Sequence, residues 1–83
     1  MPRPNWSRPL PRPLVIPSIM KLTTLADVRA LIERHLPAHC RDKATWRYVA
    51  KELAEAARGE GDASEVSLVL RMALSLEGVE YRV

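Results

Sequence analysis

Apolar positions recur along this chain with two different spacings, and the change of spacing divides it. From Leu25 onward the spacing is helical. Leu25, Val28, Leu31, Ile32 and Leu36 fall on one face at about 100° per residue, with Ala26, Arg29, Ala30, Glu33 and Arg34 opposite. Thr24, followed three residues later by Asp27, has the spacing of a capping box with Asp in place of Glu or Gln. A helix is expected over about 24–36, ended by Pro37. A second, over about 42–58, gathers Trp46, Val49, Ala50, Leu53, Ala56 and Ala57 within an arc of roughly 120°. Asp42 is its candidate cap and Gly59-Glu60-Gly61 its stop. Asp62-Ala63-Ser64-Glu65 opens a third helix, about 63–77, with another capping-box pattern. Val66, Val69, Leu70, Ala73 and Leu74 form its main apolar face, and Leu68, Met72 and Leu76 a second flank beside it. A helix apolar over more than half its circumference needs cover on two sides. The candidates for that cover are the N-terminal extended region, residues 79–83, or another subunit.

Before Leu25 the pattern is different. Six of the seven prolines fall in residues 1–17, and Pro9, Pro11 and Pro13 alternate with other residues. Proline fixes its own φ and pushes the preceding residue out of the α region, so this stretch is extended and polyproline-like. The chain therefore divides into an extended Pro/Arg-rich arm, 1–13, and one small helical domain, 14–83. Residues 14–22, broken by Pro17-Ser18, suit a short edge hairpin, and the alternating residues 79–83 are a candidate third strand. The fold class expected is mainly α, a compact three-helix domain with Leu25, Val28, Leu31, Ile32, Trp46, Val49, Leu53, Val66, Val69, Leu70, Ala73 and Leu74 inside.

Composition narrows the function classes. At 83 residues there is room for one domain and little surface left over for a deep catalytic cleft. No apolar run exceeds three residues, so no membrane span is expected. The net charge of +3 is unevenly placed. Residues 1–22 carry Arg3, Arg8, Arg12 and Lys21 with no acid, whereas residues 23–83 carry nine bases against ten acids. The helical part is close to neutral, and the basic excess belongs to the arm. Cys40 stands alone, so no internal disulfide forms, and the apolar stretch before Pro17 is too short for a signal peptide. A cytoplasmic location is expected. Ten arginines against three lysines, with ten alanines, suit a bacterial gene of high G+C content. Met20-Lys21-Leu22 also reads as an ordinary bacterial start, an alternative to Met1 that leaves all three helices in place.

Residues capable of chemistry are sparse. His35-x-x-x-His39 has zinc-ligand spacing, but Pro37 interrupts the helix between the two and no fourth ligand is near. Cys40 beside His39 lacks an orienting third group. The three glycines mark helix ends and make no phosphate loop, and the carboxylates are scattered. The expectation is no enzyme, no cofactor and no metal.

Two surfaces remain as candidates for partner binding. The arm offers Arg3, Trp6, Arg8 and Arg12, and the second helix offers a basic stripe of Lys43, Arg47 and Lys51 that could touch phosphates. Acids in the first turn of the third helix argue against a DNA-reading recognition helix. Arg8-Pro9-Leu10-Pro11-Arg12-Pro13-Leu14 resembles the Pro-Arg-Pro cores of proline-rich antimicrobial peptides, which act on ribosomes and chaperones. The likeness spans seven residues and carries no function over. The other surface is the surplus flank Leu68, Met72 and Leu76. The reading that follows is a non-catalytic protein-interaction or regulatory module with a protein partner or a second copy. The alternative is a weak, sequence-tolerant nucleic-acid binder working through the arm and the stripe.

Overall fold

The computed structural model describes residues 3–83; Met1 and Pro2 of the expected arm lie outside the described residues. The chain opens with an antiparallel hairpin, β1 (Pro9–Ile16) and β2 (Met20–Thr24). Four helices follow: α1 (Leu25–Ala30), whose last turn widens into a π-helical turn over Leu31–His35, then α2 (Ala38–Arg41), α3 (Ala44–Ala57) and α4 (Ala63–Leu76). The class is mainly α with an edge hairpin.

The hairpin turn is built by Pro17 and Ser18. The Ile19 N–H donates to the Ile16 carbonyl at 3.0 Å, and Ser18 takes a positive φ of 66° behind the proline. A proline in the second position and a left-handed residue in the third is the pattern of a type II turn. Beyond it, Leu14, Val15 and Ile16 pair regularly with Leu22, Lys21 and Met20. The register then slips, and the next pair is Pro9 with Thr24. Pro11 and Pro13 lie in that slip. Neither can donate to a ladder, which is why the irregularity falls there. On the other side of β1, Val15 and Arg82 exchange both backbone hydrogen bonds at 2.8 Å, so the C-terminal residues join the sheet through a single bridge.

Pro9–Pro13, which proline spacing alone reads as arm, thus form the first half of β1. The residues before them also lie against the domain. Asn5 N–H donates to the Ala57 carbonyl at 2.6 Å, Ala26 N–H to Trp6 and Leu25 N–H to Arg8.

Thr24 caps α1 as its spacing predicts. The Thr24 hydroxyl accepts from Asp27 N–H at 3.4 Å, and the Asp27 carboxylate accepts from the N–H groups of Thr23 (2.9 Å) and Thr24 (3.1 Å) and from the Thr23 hydroxyl (2.9 Å). These donors, the Thr23 N–H foremost, hold the Asp27 carboxyl below its usual value. A carboxyl with a lower pKa in the folded state adds stability above its ordinary pKa and loses it as pH falls through the folded value. Asp27→Asn should therefore cost about 1 kcal/mol at neutral pH and flatten the loss of stability on acidification below about pH 4. Urea melts at pH 7 and pH 3 check this; an unchanged pH slope in the variant would count against it.

The first helix does not run unbroken to Leu36. Pro37 holds Leu36 extended (φ −94°, ψ 133°), as a residue before proline prefers, and His35, in the widened turn, is exposed. Asp42 does not cap the second long helix. Pro37 starts a separate short turn, α2, which Asp42 ends, and Lys43 occupies the N-cap of α3 without a side-chain hydrogen bond. Asp62 does cap α4, accepting from Ser64 N–H at 2.8 Å.

One core lies between the hairpin and helices α1, α3 and α4. Leu10, Leu14, Ile16 and Leu22 meet Leu25, Val28, Leu31, Trp46, Val49, Leu53, Val66, Leu70 and Leu74 there, all buried. Of the expected core only Ile32 is half-buried, packed at its margin.

Candidate functional site

Helix α4 packs α3 along one side and β1 along the other. Those two neighbours cover most of its wide apolar arc. The flank between them stays uncovered: Leu68 is 45%, Met72 58% and Leu76 71% exposed. Tyr48, projecting from α3, extends the same surface at 50% exposure. Met72 and Leu76 form a ridge with a shallow depression on each side. One is lined by Ala44, Thr45, Tyr48 and Val69, the other by Leu68, Arg71, Ser75 and Tyr81. The Ser75 hydroxyl donates to that of Tyr81 at 3.5 Å, holding the C-terminal residues at the edge of the second depression.

The rims of this surface differ in charge. On the α3 side the Glu52 carboxylate pushes the Tyr48 phenol above its usual pKa, with Glu65 and Glu55 adding to the effect. On the β1 side stands Arg71. An apolar ridge is thus bounded by carboxylates on one edge and by a guanidinium on the other. Tyr48 and Tyr81 escape pattern reading, because Tyr48 lies off the buried face of α3 and Tyr81 follows the last helix, and only the packing places each beside Met72.

The basic candidates fare differently from one another. Arg3, Arg12, Arg47 and Lys51 are exposed. Arg8 points inward: its Nη1 donates to the carbonyls of Ala56 at 2.9 Å and Gly61 at 3.0 Å. Trp6 is half-buried, with the Arg29 guanidinium 4.6 Å from its ring centroid. Lys43 donates to both oxygens of Glu77, at 2.9 and 3.2 Å. Arg8 and Lys43 are thus engaged within the chain, while Arg3, Arg12, Arg47 and Lys51 stay exposed.

The Lys43–Glu77 pair belongs to a small lock between the start of α3 and the end of α4. The Lys43 ammonium lowers the Glu77 pKa, and Glu77 in turn raises that of Lys43. The buried Cys40 thiol donates to the same carboxylate at 3.7 Å. The buried Trp46 indole N–H has no partner of acceptable geometry, and Glu77 is the acceptor beside it. His35 and His39 are both exposed. Among the described residues no three His, Cys, Asp or Glu side chains come together as a metal would require, and no helix is long and apolar enough to cross a membrane.

Comparison with known proteins finds no matching family, no similar curated protein and no similar solved structure. Fold and surface together define a small, mainly helical domain with an edge hairpin, one core and an uncovered apolar flank on its last helix.

Proposed function

We propose that this protein is a non-catalytic interaction module that docks through the outer flank of α4, with a second copy of the chain as the occupant. The observation that carries the reading is the contiguous exposure of Tyr48, Leu68, Met72 and Leu76 on a domain whose other large apolar side chains are mostly buried. Contiguous apolar patches rimmed by polar groups mark interaction surfaces, whereas isolated exposed apolar residues need no explanation. The charge of the rims favours self-pairing. When two such faces meet with their α4 axes parallel, the acidic edge beside Tyr48 lies over the partner's Arg71, and the arrangement closes as a twofold dimer. Two of the basic candidates, Arg8 and Lys43, are engaged in bonds within the chain, which leaves the nucleic-acid reading with fewer free cations.

Light scattering at high micromolar concentration should give a mass near twice that of the chain. Met72→Glu with Leu76→Glu should return it to a monomer with an unchanged circular dichroism spectrum, since both side chains are exposed and the core is untouched. A strict monomer for the unaltered chain at that concentration rules out self-pairing.

A further inference from the structure

A third depression, of about 330 Å³, opens between β1 and α4. It is lined by Pro11, Arg12, Ser64, Ser67, Arg71 and Val83. Two arginines and two serines line one concavity, and among the described residues no Asp or Glu lines it; Val83, the last residue of the sequence, stands exposed at its rim. Four features set it apart from an ordinary solvated surface. Arg71 Nε is buried and has no hydrogen-bond partner within the protein. Neither arginine takes part in the ion pairs of the described residues, which engage Arg29, Lys43, Arg58 and Arg82. Ser67 is the polar residue of the buried set, at 8% exposure. The acids of the first turn do not line it: the Asp62 carboxylate caps the Ser64 N–H, and Glu65 is not among the lining residues.

We infer that this depression binds a phosphate monoester. A planar guanidinium donates two parallel hydrogen bonds to a tetrahedral oxyanion, and hydroxyls can complete its shell. Two guanidiniums match the charge of a dianionic monoester better than that of a singly charged diester. The start of α4 adds the positive end of its dipole. The volume exceeds what inorganic phosphate needs, which leaves room for the first atoms of the ester group. The site is built from one copy of the chain and does not rest on self-pairing; because self-pairing brings the partner's acidic edge over Arg71, a monomer should bind at least as well as a dimer.

The test follows the arginine Nε–H and backbone amide signals of the full chain at constant ionic strength. The probes are inorganic phosphate, O-phosphoserine, dimethyl phosphate and chloride. We expect Arg71, Arg12, Ser64 and Ser67 to shift on one saturable curve with phosphate and with O-phosphoserine, and several-fold more weakly with dimethyl phosphate. Losing a hydrogen bond to a charged group is worth about 1.5–3 kcal/mol. Arg71→Gln should therefore weaken binding by about 10- to 100-fold. Arg12→Gln, at an exposed position whose loss leaves the core intact, should weaken it in the same direction. Arg34→Gln, another exposed arginine, should leave the curve unchanged. The inference is overturned by shifts spread over all exposed arginines, by equal shifts with chloride, or by phosphate binding undiminished in Arg12→Gln. Dimethyl phosphate or a DNA duplex binding as well as O-phosphoserine would also overturn it, making the contact one with a nucleic-acid backbone.

Discussion

Removing residues 1–19 is expected to abolish cooperative unfolding, not merely to trim an arm. The deletion takes away β1, and with it the buried side chains of Leu10, Leu14 and Ile16. Fully burying a Leu or Ile side chain contributes about 1.5–3 kcal/mol, so these three account for roughly 5–9 kcal/mol as an upper estimate. Domains of this kind are stable by about 5–15 kcal/mol in total, and the smallest lie near the lower end. The deletion also leaves β2 without its paired strand and uncovers the side of α4 that packs on β1. A thermal melt of the 20–83 chain should show no sigmoidal transition, and the near-ultraviolet signal of Trp46 should vanish. A cooperative transition within a few degrees of the full chain would mean that the three helices suffice. The same result bears on Met20 as a start, since a chain beginning there lacks the strand that closes its core. For this reason truncation at residue 19 is a poor test of what the N-terminal arginines bind.

The helices were legible because their information is local. Leu25, Val28 and Leu31 recur at helical spacing, Thr24 and Asp27 cap each other across three residues, and Asp62 sits one residue ahead of α4. The uncovered flank was legible for the same reason, since Leu68, Met72 and Leu76 exceed what one buried face requires. The structure around the N-terminal strand was not legible. Leu10 lies between two prolines with no alternating pattern, and its burial depends on a slipped register that lets Pro11 and Pro13 avoid the ladder. Lys43 and Glu77 are 34 residues apart, and nothing in either neighbourhood forecasts their pairing. The Arg12–Arg71 depression was hidden in the same way. Arg12 read as part of an arm, and Arg71 stands alone among apolar residues of α4; they meet because α4 lies across β1. Local period finds elements and spare faces, whereas sites made of two distant elements appear only after packing.

Arg8 shows how such a long-range contact can convert an apparent binding residue into a structural one. Helix α3 ends at Ala57, and the carbonyls of a last helical turn have no partner within the helix. The Ala56 carbonyl accepts from Gly59 N–H at 3.1 Å and from Arg8 Nη1 at 2.9 Å, while the Gly61 carbonyl accepts from the same Arg8 nitrogen at 3.0 Å. One guanidinium thereby ties the N-terminal segment to the turn between α3 and α4. Arg8→Met keeps the aliphatic stem but removes the donor. Ala56 retains one partner and Gly61 loses Arg8, so the expected cost is about 2–3 kcal/mol. For a domain of this size that is a fall in Tm of roughly 8–24 °C. Arg8→Lys retains the charge and a donor but not the fork, and should recover only part of the loss. Because the acceptors are carbonyls and not carboxylates, the gap between the parent and the Arg8→Met variant should persist at about 1 M salt, where exposed ion pairs are screened. An Arg8→Met chain that melts with the parent would show that the guanidinium is not needed at the helix end. It would then be free for a partner's phosphates, and the basic arm would regain its strongest candidate.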